Sequence, residues 1–216
     1  MKQIILQNKT FYACWLVWFV LAGLYLAFNE KTAASLTLNN LHTPALDVFF
    51  RYITWGGDGI VIAIICFVLL FVKLRFGIIM SLVSFTSAFL VSLLKNFYDE
   101  PRPSRVLAGQ DLNWVQGLDL YSNHSFPSGH AAAAFTMFLL LSFFVGKKNY
   151  TVLFFTLAIL VAISRVYLFQ HFLIDVWIGS LCGIVFGTVL YYLLITSPLF
   201  KNKTWHNWSL FKPVVK

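Results

Sequence analysis

Long apolar stretches constrain the fold of this chain more than any other feature. Of its 216 residues, 59% are hydrophobic and only 11% are charged, which excludes an ordinary soluble domain. A bilayer core requires roughly 20 mostly apolar residues per helical span. We therefore predict an all-α polytopic membrane protein, a six-transmembrane-helix bundle forming one embedded domain over residues 1–216, with spans at 11–28, 58–74, 77–95, 130–146, 150–168 and 172–198.

The charges between these stretches predict the orientation of the bundle. Six spans place both termini on one side, and the segments on that side hold ten of the 16 Lys and Arg residues but no acidic residue. Lys and Arg near span ends favour the cytoplasm, so we expect cytoplasmic termini. The net charge of +8 then records membrane orientation. No basic run or stacking platform indicates a nucleic-acid partner, and the bilayer is the expected environment.

Two outward segments are long enough to have structure of their own. Residues 29–57 contain the aromatic stretch 46–55, which is either an amphipathic helix in the interface or a packed re-entrant connection. Residues 96–129 form a polar loop, and long loops are often functional. The tail, with Trp205, Trp208, Lys201 and Lys203, resembles an interfacial anchor.

Ionisable groups are costly near apolar spans, so those at helix ends are informative. Three fixed cations fall on the outward side, and the predicted fourth helix begins with Ser and Gly, where free backbone N–H groups can approach an anion. The sequence therefore predicts a phosphate site at the outer end of the bundle, formed from these residues: Lys95, Arg102, Ser128, Gly129, His130, Arg165, His171 and Asp175.

Two histidines in this set could carry out phosphoryl transfer. The i, i+4 spacing of His171 and Asp175 predicts that both lie on one helix face, where the carboxylate orients the ring and leaves the other nitrogen free to attack phosphorus. His130 could then protonate the leaving oxygen and later deprotonate water. The three cations can stabilise the transition state, so we expect neither a metal nor another cofactor.

These residues fall into three motifs: KxxxxxxRP at 95–103, PSGH at 127–130 and SRxxxxxHxxxD at 164–175. The motifs resemble the signatures of the type 2 phosphatidic acid phosphatase superfamily, which includes undecaprenyl-pyrophosphate and phosphatidylglycerophosphate phosphatases. The resemblance implies metal-independent hydrolysis of a lipid phosphate through a phosphohistidine, at the periplasmic face of a bacterial inner membrane. It implies His171 as nucleophile, Asp175 as its partner, His130 as acid and base, and Lys95, Arg102, Ser128, Gly129 and Arg165 as phosphate ligands.

Some choices stay open. Asn123, His124 and Arg105 lie beside the motifs and are candidate substrate contacts, although turn stabilisation is favoured for the first two and contact with the lipid surface for Arg105. Undecaprenyl pyrophosphate or a related lipid is the favoured substrate over phosphatidylglycerol phosphate, phosphatidic acid and lipid A phosphates. The alternatives are a phosphotransferase that uses the same His171 and a non-catalytic anion or lipid transporter. No obligate protein partner is indicated.

Overall fold

The computed structural model describes residues 1–201, 208 and 209, and every regular element within them is helical. Trp205 and Lys203 of the predicted interfacial tail lie outside the described residues. A 3-10 turn at Thr54–Gly57 joins the fourth and fifth helices. The helices are α1 (Lys2–Gln7), α2 (Lys9–Phe28), α3 (Ala33–Asn39), α4 (Pro44–Ile53), α5 (Gly59–Val72), α6 (Leu74–Tyr98), α7 (Pro103–Val106), α8 (Gly129–Val145), α9 (Lys148–Tyr167) and α10 (Leu173–Thr196).

Helices α2, α5, α6, α8, α9 and α10 lie where the sequence predicts spans. Their ends have local causes. The carboxylate of Asp58 accepts the N–H of Ile60 at 2.8 Å and so caps the start of α5. Lys73 is extended, with φ −157°, and separates α5 from α6. Gly146 ends α8 with φ +65°, a conformation that glycine adopts without steric cost.

Four helical stretches of the described chain are long and apolar enough to cross a membrane: Lys9–Phe28, Leu74–Val106, Lys148–Tyr167 and Leu173–Thr196. The bent pair Pro44–Gly57 and Gly59–Val72, with an angle of 55° between its parts, makes a fifth if it is one span. Helix α8 is apolar but only 17 residues long. The helices thus support a polytopic membrane protein with four or five spans, and the count of six stays a prediction.

Helix α8 lies in the middle of the bundle, packed against α6, α9 and α10. Two glycines of α10 let the backbones come close: a Cβ on Gly179 would lie 2.6 Å from the carbonyl oxygen of Ser128, and one on Gly183 would lie 2.5 Å from that of Ala132. Any larger side chain would force the helices apart. The start of α8 is thereby held against the start of α10.

The segment 29–57 is mostly helical. Helix α4 begins after Thr43, whose hydroxyl accepts the N–H of Leu46 at 3.2 Å. It packs against α9 through Phe50, whose ring centroid lies 4.4 Å from that of Tyr167. The stretch 46–55 is therefore largely helical. Its placement in the interface or in a re-entrant connection stays open, because α4 both packs on α9 and carries exposed apolar side chains such as Tyr52.

Candidate active site

Five parts of the chain meet at one end of the bundle: the end of α6, the connection 99–128, the start of α8, the end of α9 and the start of α10. Hydrogen bonds join them across long sequence separations. Lys95 Nζ, in α6, donates to the carbonyl oxygen of His124 at 2.8 Å. The N–H of Ser128, before α8, donates to the carbonyl oxygen of Asp175, in α10, at 2.9 Å. The three sequence motifs therefore lie together.

His171 and Asp175 face each other, with Nδ1 and Oδ2 3.5 Å apart. The prediction that both lie on one helix face is wrong, because α10 begins at Leu173 and His171 precedes its N-cap, Phe172. The carboxylate instead reaches back over the helix start, where Oδ2 accepts the N–H of Phe172 at 2.9 Å. Asp175 therefore stabilises the first turn of α10 and contacts His171 with the same oxygen.

Ser125 completes this arrangement, although the sequence did not predict it as a site residue. Its Oγ donates to Asp175 Oδ2 at 2.5 Å and lies 3.4 Å from His171 Nδ1. All three side chains are buried. Since Nδ1 faces the serine and the carboxylate, Nε2 is the ring nitrogen directed away from them.

Burial also determines the charge of this ring. It lowers the pKa of His171 well below the ordinary value of 6.5, and the positive charges of Arg165, Arg102 and Lys95 lower it further. The imidazole is therefore neutral at neutral pH. A neutral ring that carries its proton on Nδ1, next to a carboxylate, keeps a lone pair on Nε2.

Arg102 is buried and held mainly by carbonyl groups. Its Nε donates to the carbonyl oxygen of Asn123 at 2.8 Å, and Nη2 donates to that of His124 at 3.5 Å. Nη1 donates to both the backbone oxygen of Gln170, at 3.0 Å, and its side-chain Oε1, at 3.3 Å. The ring of Tyr121 lies beneath the guanidinium, 5.2 Å from it. These contacts fix the planar group and leave one Nη2 N–H for an anion.

Arg165, at the end of α9, is equally buried but less fully bonded. Its Nη1 donates to Thr54 Oγ1 at 2.8 Å, and Nη2 donates to Gln170 Oε1 at 3.4 Å. Its Nε has no hydrogen-bond partner within the described part of the chain. A buried N–H without an acceptor is costly, and a bound anion would satisfy it.

Ser128 caps α8: its Oγ accepts the N–H of Ala131 at 3.4 Å. Its own backbone N–H is taken by the carbonyl oxygen of Asp175. The residue predicted as a phosphate ligand can therefore offer an anion only its hydroxyl proton.

Gly129 and His130 form the first turn of α8, where backbone N–H groups have no acceptor within the helix. A Cβ on Gly129 would lie 3.6 Å from Lys95 Cε, so the lysine side chain passes directly over this turn. A Cβ on Gly57 would lie 2.6 Å from the carbonyl oxygen of His130. The turn after α4 therefore packs tightly against the helix start that carries His130.

An apolar cavity of about 650 Å³ lies between α5, α6 and α8. Lys95, Gly129 and His130 line it, which joins the cavity to the polar cluster. Phe67 and Phe85 also line it and are 61% and 77% exposed, so the cavity reaches the side of the bundle. A phosphate at the cluster and a hydrocarbon chain in the cavity could therefore belong to one molecule.

The three remaining candidates lie at the rim. Arg105 Nη1 donates to Asn123 Oδ1 at 2.8 Å, and His124 Nδ1 lies 3.2 Å from Asp99 Oδ1. The side chains of Arg105, Asn123, His124 and Asp99 are all exposed, that of His124 by 53%. Asn123 and His124 thus serve the site through their carbonyl groups, and contact of the three side chains with substrate stays a prediction.

Besides Ser125, sequence reasoning missed Gln170 and Thr54. Gln170 is a buried polar residue directly before His171, between two apolar helices, and that setting was a usable signal. Thr54 lies 111 residues before Arg165, its partner, and no sequence pattern links the two.

Comparisons with known proteins all indicate the same family. Residues 76–198 match the family model described as the PAP2 superfamily. The chain is 27% identical to the lipid A 4'-phosphatase of Porphyromonas gingivalis over 72% of this chain and 69% of that protein. It is 32% identical to phosphatidylglycerophosphatase B of Bacillus subtilis over 55% and 56%, respectively. A lipid A 1-phosphatase of P. gingivalis is 34% identical, but the match spans only 20% of that protein.

Two solved structures are similar over most of their length. The crystal structure of Aquifex aeolicus LpxE has a TM-score of 0.67 and 31% identity, covering 76% of this chain and 96% of that one. A transmembrane PAP2 type phosphatidylglycerolphosphate phosphatase from B. subtilis has a TM-score of 0.62 and 26% identity, covering 83% and 93%. The similarity therefore includes the helical architecture as well as the motifs.

Proposed function

Because this chain belongs to the PAP2 superfamily, we propose that it is an integral membrane phosphatase that hydrolyses a lipid phosphate or pyrophosphate through a phosphohistidine on His171. The observation that carries the proposal is the cluster in which His171, backed by Asp175, lies with the cations of Arg102 and Arg165. The relatives named as lipid phosphatases support the assignment.

The first step transfers the phosphoryl group to the enzyme. His171 Nε2 attacks phosphorus while the bond from phosphorus to the leaving oxygen breaks. His130 gives its proton to that oxygen, which leaves as a lipid alcohol or, from a pyrophosphate, as a lipid monophosphate. Arg102, Arg165 and Lys95 stabilise the charge on the equatorial oxygens, the part a metal ion plays in many phosphatases.

The second step hydrolyses the phosphohistidine. His130, now without its proton, accepts one from a water molecule as the water oxygen bonds to phosphorus. The bond between phosphorus and Nε2 breaks, inorganic phosphate leaves and His171 is restored. The carboxylate of Asp175 stabilises the proton on Nδ1 throughout. The two steps together consume one water for each phosphate released.

The cavity between α5, α6 and α8 would hold the hydrocarbon of the substrate, since it joins the polar cluster at His130. Undecaprenyl pyrophosphate or a related lipid stays the favoured substrate. Phosphatidylglycerol phosphate and lipid A phosphates, which relatives are named for, and phosphatidic acid form the rest of the panel. The predicted topology would place the site at the periplasmic face of a bacterial inner membrane, with the termini in the cytoplasm.

The test is phosphate release by the purified protein from each lipid of the panel, in detergent with a chelator present. We expect metal-independent release by the wild type and a loss of several orders of magnitude in His171→Ala. His42→Ala is the matched control, since His42 pairs with Asp47 outside the cluster and should leave the rate within about twofold.

Equal rates in the wild type and His171→Ala would refute the assignment of the nucleophile. Loss of phosphate from the lipid without release of inorganic phosphate would instead indicate transfer to another acceptor. Binding of lipid phosphate without any turnover would favour the transporter.

A further inference from the structure

Gln170 connects the two arginines of the cluster. Its Oε1 accepts from Arg102 Nη1 at 3.3 Å and from Arg165 Nη2 at 3.4 Å, and its Nε2 donates to the carbonyl oxygen of Asp119 at 3.1 Å. The residue is 4% exposed. Both polar atoms of the Gln170 side chain are thus engaged by other parts of the site.

We propose that Gln170 is a positioning residue that holds Arg102 and Arg165 in register for one phosphate group; the proposal rests on the function proposed above. Two buried guanidinium groups repel each other, and an acceptor shared between them offsets that repulsion. A single oxygen within hydrogen-bonding distance of both groups also limits their separation. The motifs contain the two arginines, and Gln170 holds their guanidinium groups at a fixed distance from each other.

The dependence on Gln170 differs between the two arginines. Arg102 is also bonded to the backbone oxygen of Gln170 and to two further carbonyl groups, and these survive any substitution at 170. Arg165 has one other side-chain partner, Thr54, within the described residues. Loss of the amide at 170 should therefore free mainly the side chain of Arg165. The resulting loss of phosphate affinity should come from the misplaced guanidinium of Arg165.

The other end of the amide reaches the connection 99–128. Its bond to the carbonyl oxygen of Asp119 places Gln170 between that part of the connection and the two guanidinium groups. The connection also supplies the ring of Tyr121 beneath Arg102. The spacing of the cations is therefore tied to the conformation of residues 119–121, which belong to none of the three motifs.

The experiment measures the affinity for orthovanadate, a phosphate analogue, from the thermal stabilisation of the purified full chain at increasing vanadate. Gln170→Met keeps the size of the side chain but removes the amide. We expect about a tenfold weaker affinity in Gln170→Met, the loss expected for a hydrogen bond to a charged group. The melting temperature without vanadate should also fall, because methionine leaves buried arginine N–H groups without their acceptor, so the affinity is taken from the vanadate-dependent rise alone. Gln116→Met, at an exposed glutamine of the same connection, is the matched control.

A double-mutant cycle separates positioning from general stability. In an Arg165→Ala background, Gln170→Met should cause no further loss of vanadate affinity, because its effect passes through Arg165. An equal loss in both backgrounds, or an unchanged affinity in Gln170→Met, would overturn the proposal. If Gln170→Met does not fold, Gln170→Asn, whose amide is one carbon shorter, is measured in the same way.

The outcome is distinguishable from failure of the proposed function. Vanadate binding needs no turnover, so a wild type that binds vanadate but releases no phosphate would contradict the phosphatase and still allow the test of Gln170. Where turnover is measured, Gln170→Met should raise KM more than it lowers kcat, because bound phosphate itself helps to orient Arg165.

Discussion

Asp175 lies inside the first turn of α10 and His171 lies outside it, yet Asp175 Oδ2 and His171 Nδ1 are 3.5 Å apart. The same oxygen accepts the N–H of Phe172 and the hydroxyl of Ser125. The carboxylate thus links the position of the ring to the start of the helix. A change at Asp175 should affect chemistry and local stability together.

Replacing this carboxylate tests its role in catalysis. Asp175→Asn keeps the size of the side chain but removes the charge that stabilises the proton on Nδ1 of His171. We expect kcat to fall on the order of 10²- to 10⁴-fold, measured as phosphate release. Asp111→Asn, at an exposed aspartate, should retain full activity. Loss of less than about twofold in Asp175→Asn would contradict the proposed role.

The geometry of Arg165 matters beyond its charge. Arg165→Lys retains the positive charge but loses the planar group that contacts Thr54 and Gln170, together with the Nε that has no hydrogen-bond partner among the described residues. We expect about a tenfold weaker vanadate inhibition. Vanadate should inhibit Arg51→Lys, a change at an exposed arginine outside the cluster, as strongly as it inhibits the wild type. Equal inhibition constants in all three proteins would show that charge alone suffices.

The acid limb of the pH profile should reflect the burial of His171. A protonated ring has no lone pair with which to attack, so activity is lost as pH falls through the pKa of His171. Because that pKa lies well below 6.5, activity should persist below pH 6.5. The measurement is kcat/KM across the acid range. Loss of activity centred at the ordinary histidine value would contradict a buried, neutral His171.

Filling the apolar cavity should lower the activity on lipid substrates selectively. Ala88 of α6 lines the cavity, and Ala88→Phe would occupy part of its volume. We expect a strong loss of kcat/KM on a long-chain lipid phosphate and little loss on a water-soluble aryl phosphate. Ala27→Phe, on an exposed position of α2, is the control. Equal losses on both substrates would argue against a hydrocarbon chain in this cavity.

The close approach of α8 and α10 should make the stability of the fold sensitive to any side chain added between them. In Gly183→Ala, the added Cβ would lie 2.5 Å from the carbonyl oxygen of Ala132, so the helices must separate. We expect a destabilisation of roughly 1–3 kcal/mol, measured by thermal unfolding in detergent. Gly59→Ala is the control, because a Cβ there meets nothing within 4 Å. Similar unfolding temperatures for both variants would contradict tight packing at Gly183.

Much of the fold and site could be predicted from the sequence. The six helices follow from apolar runs, and membership of the superfamily, predicted from three motifs, is confirmed by the match over residues 76–198. The motifs also place Lys95, Arg102, Arg165 and His171 in one cluster. The roles of these residues in catalysis stay predictions, as do the sixth span and the orientation in the membrane.

The sequence by itself determined the helices and the inventory of charged groups, because apolar length and residue chemistry are local properties of the chain. Only the tertiary structure decided which partners orient those groups. Ser125 on Asp175, Thr54 on Arg165 and Gln170 between two arginines depend on how helices distant in the chain pack. Hydrogen bonds of this kind require distances near 3 Å, and spacing along the chain does not encode such distances.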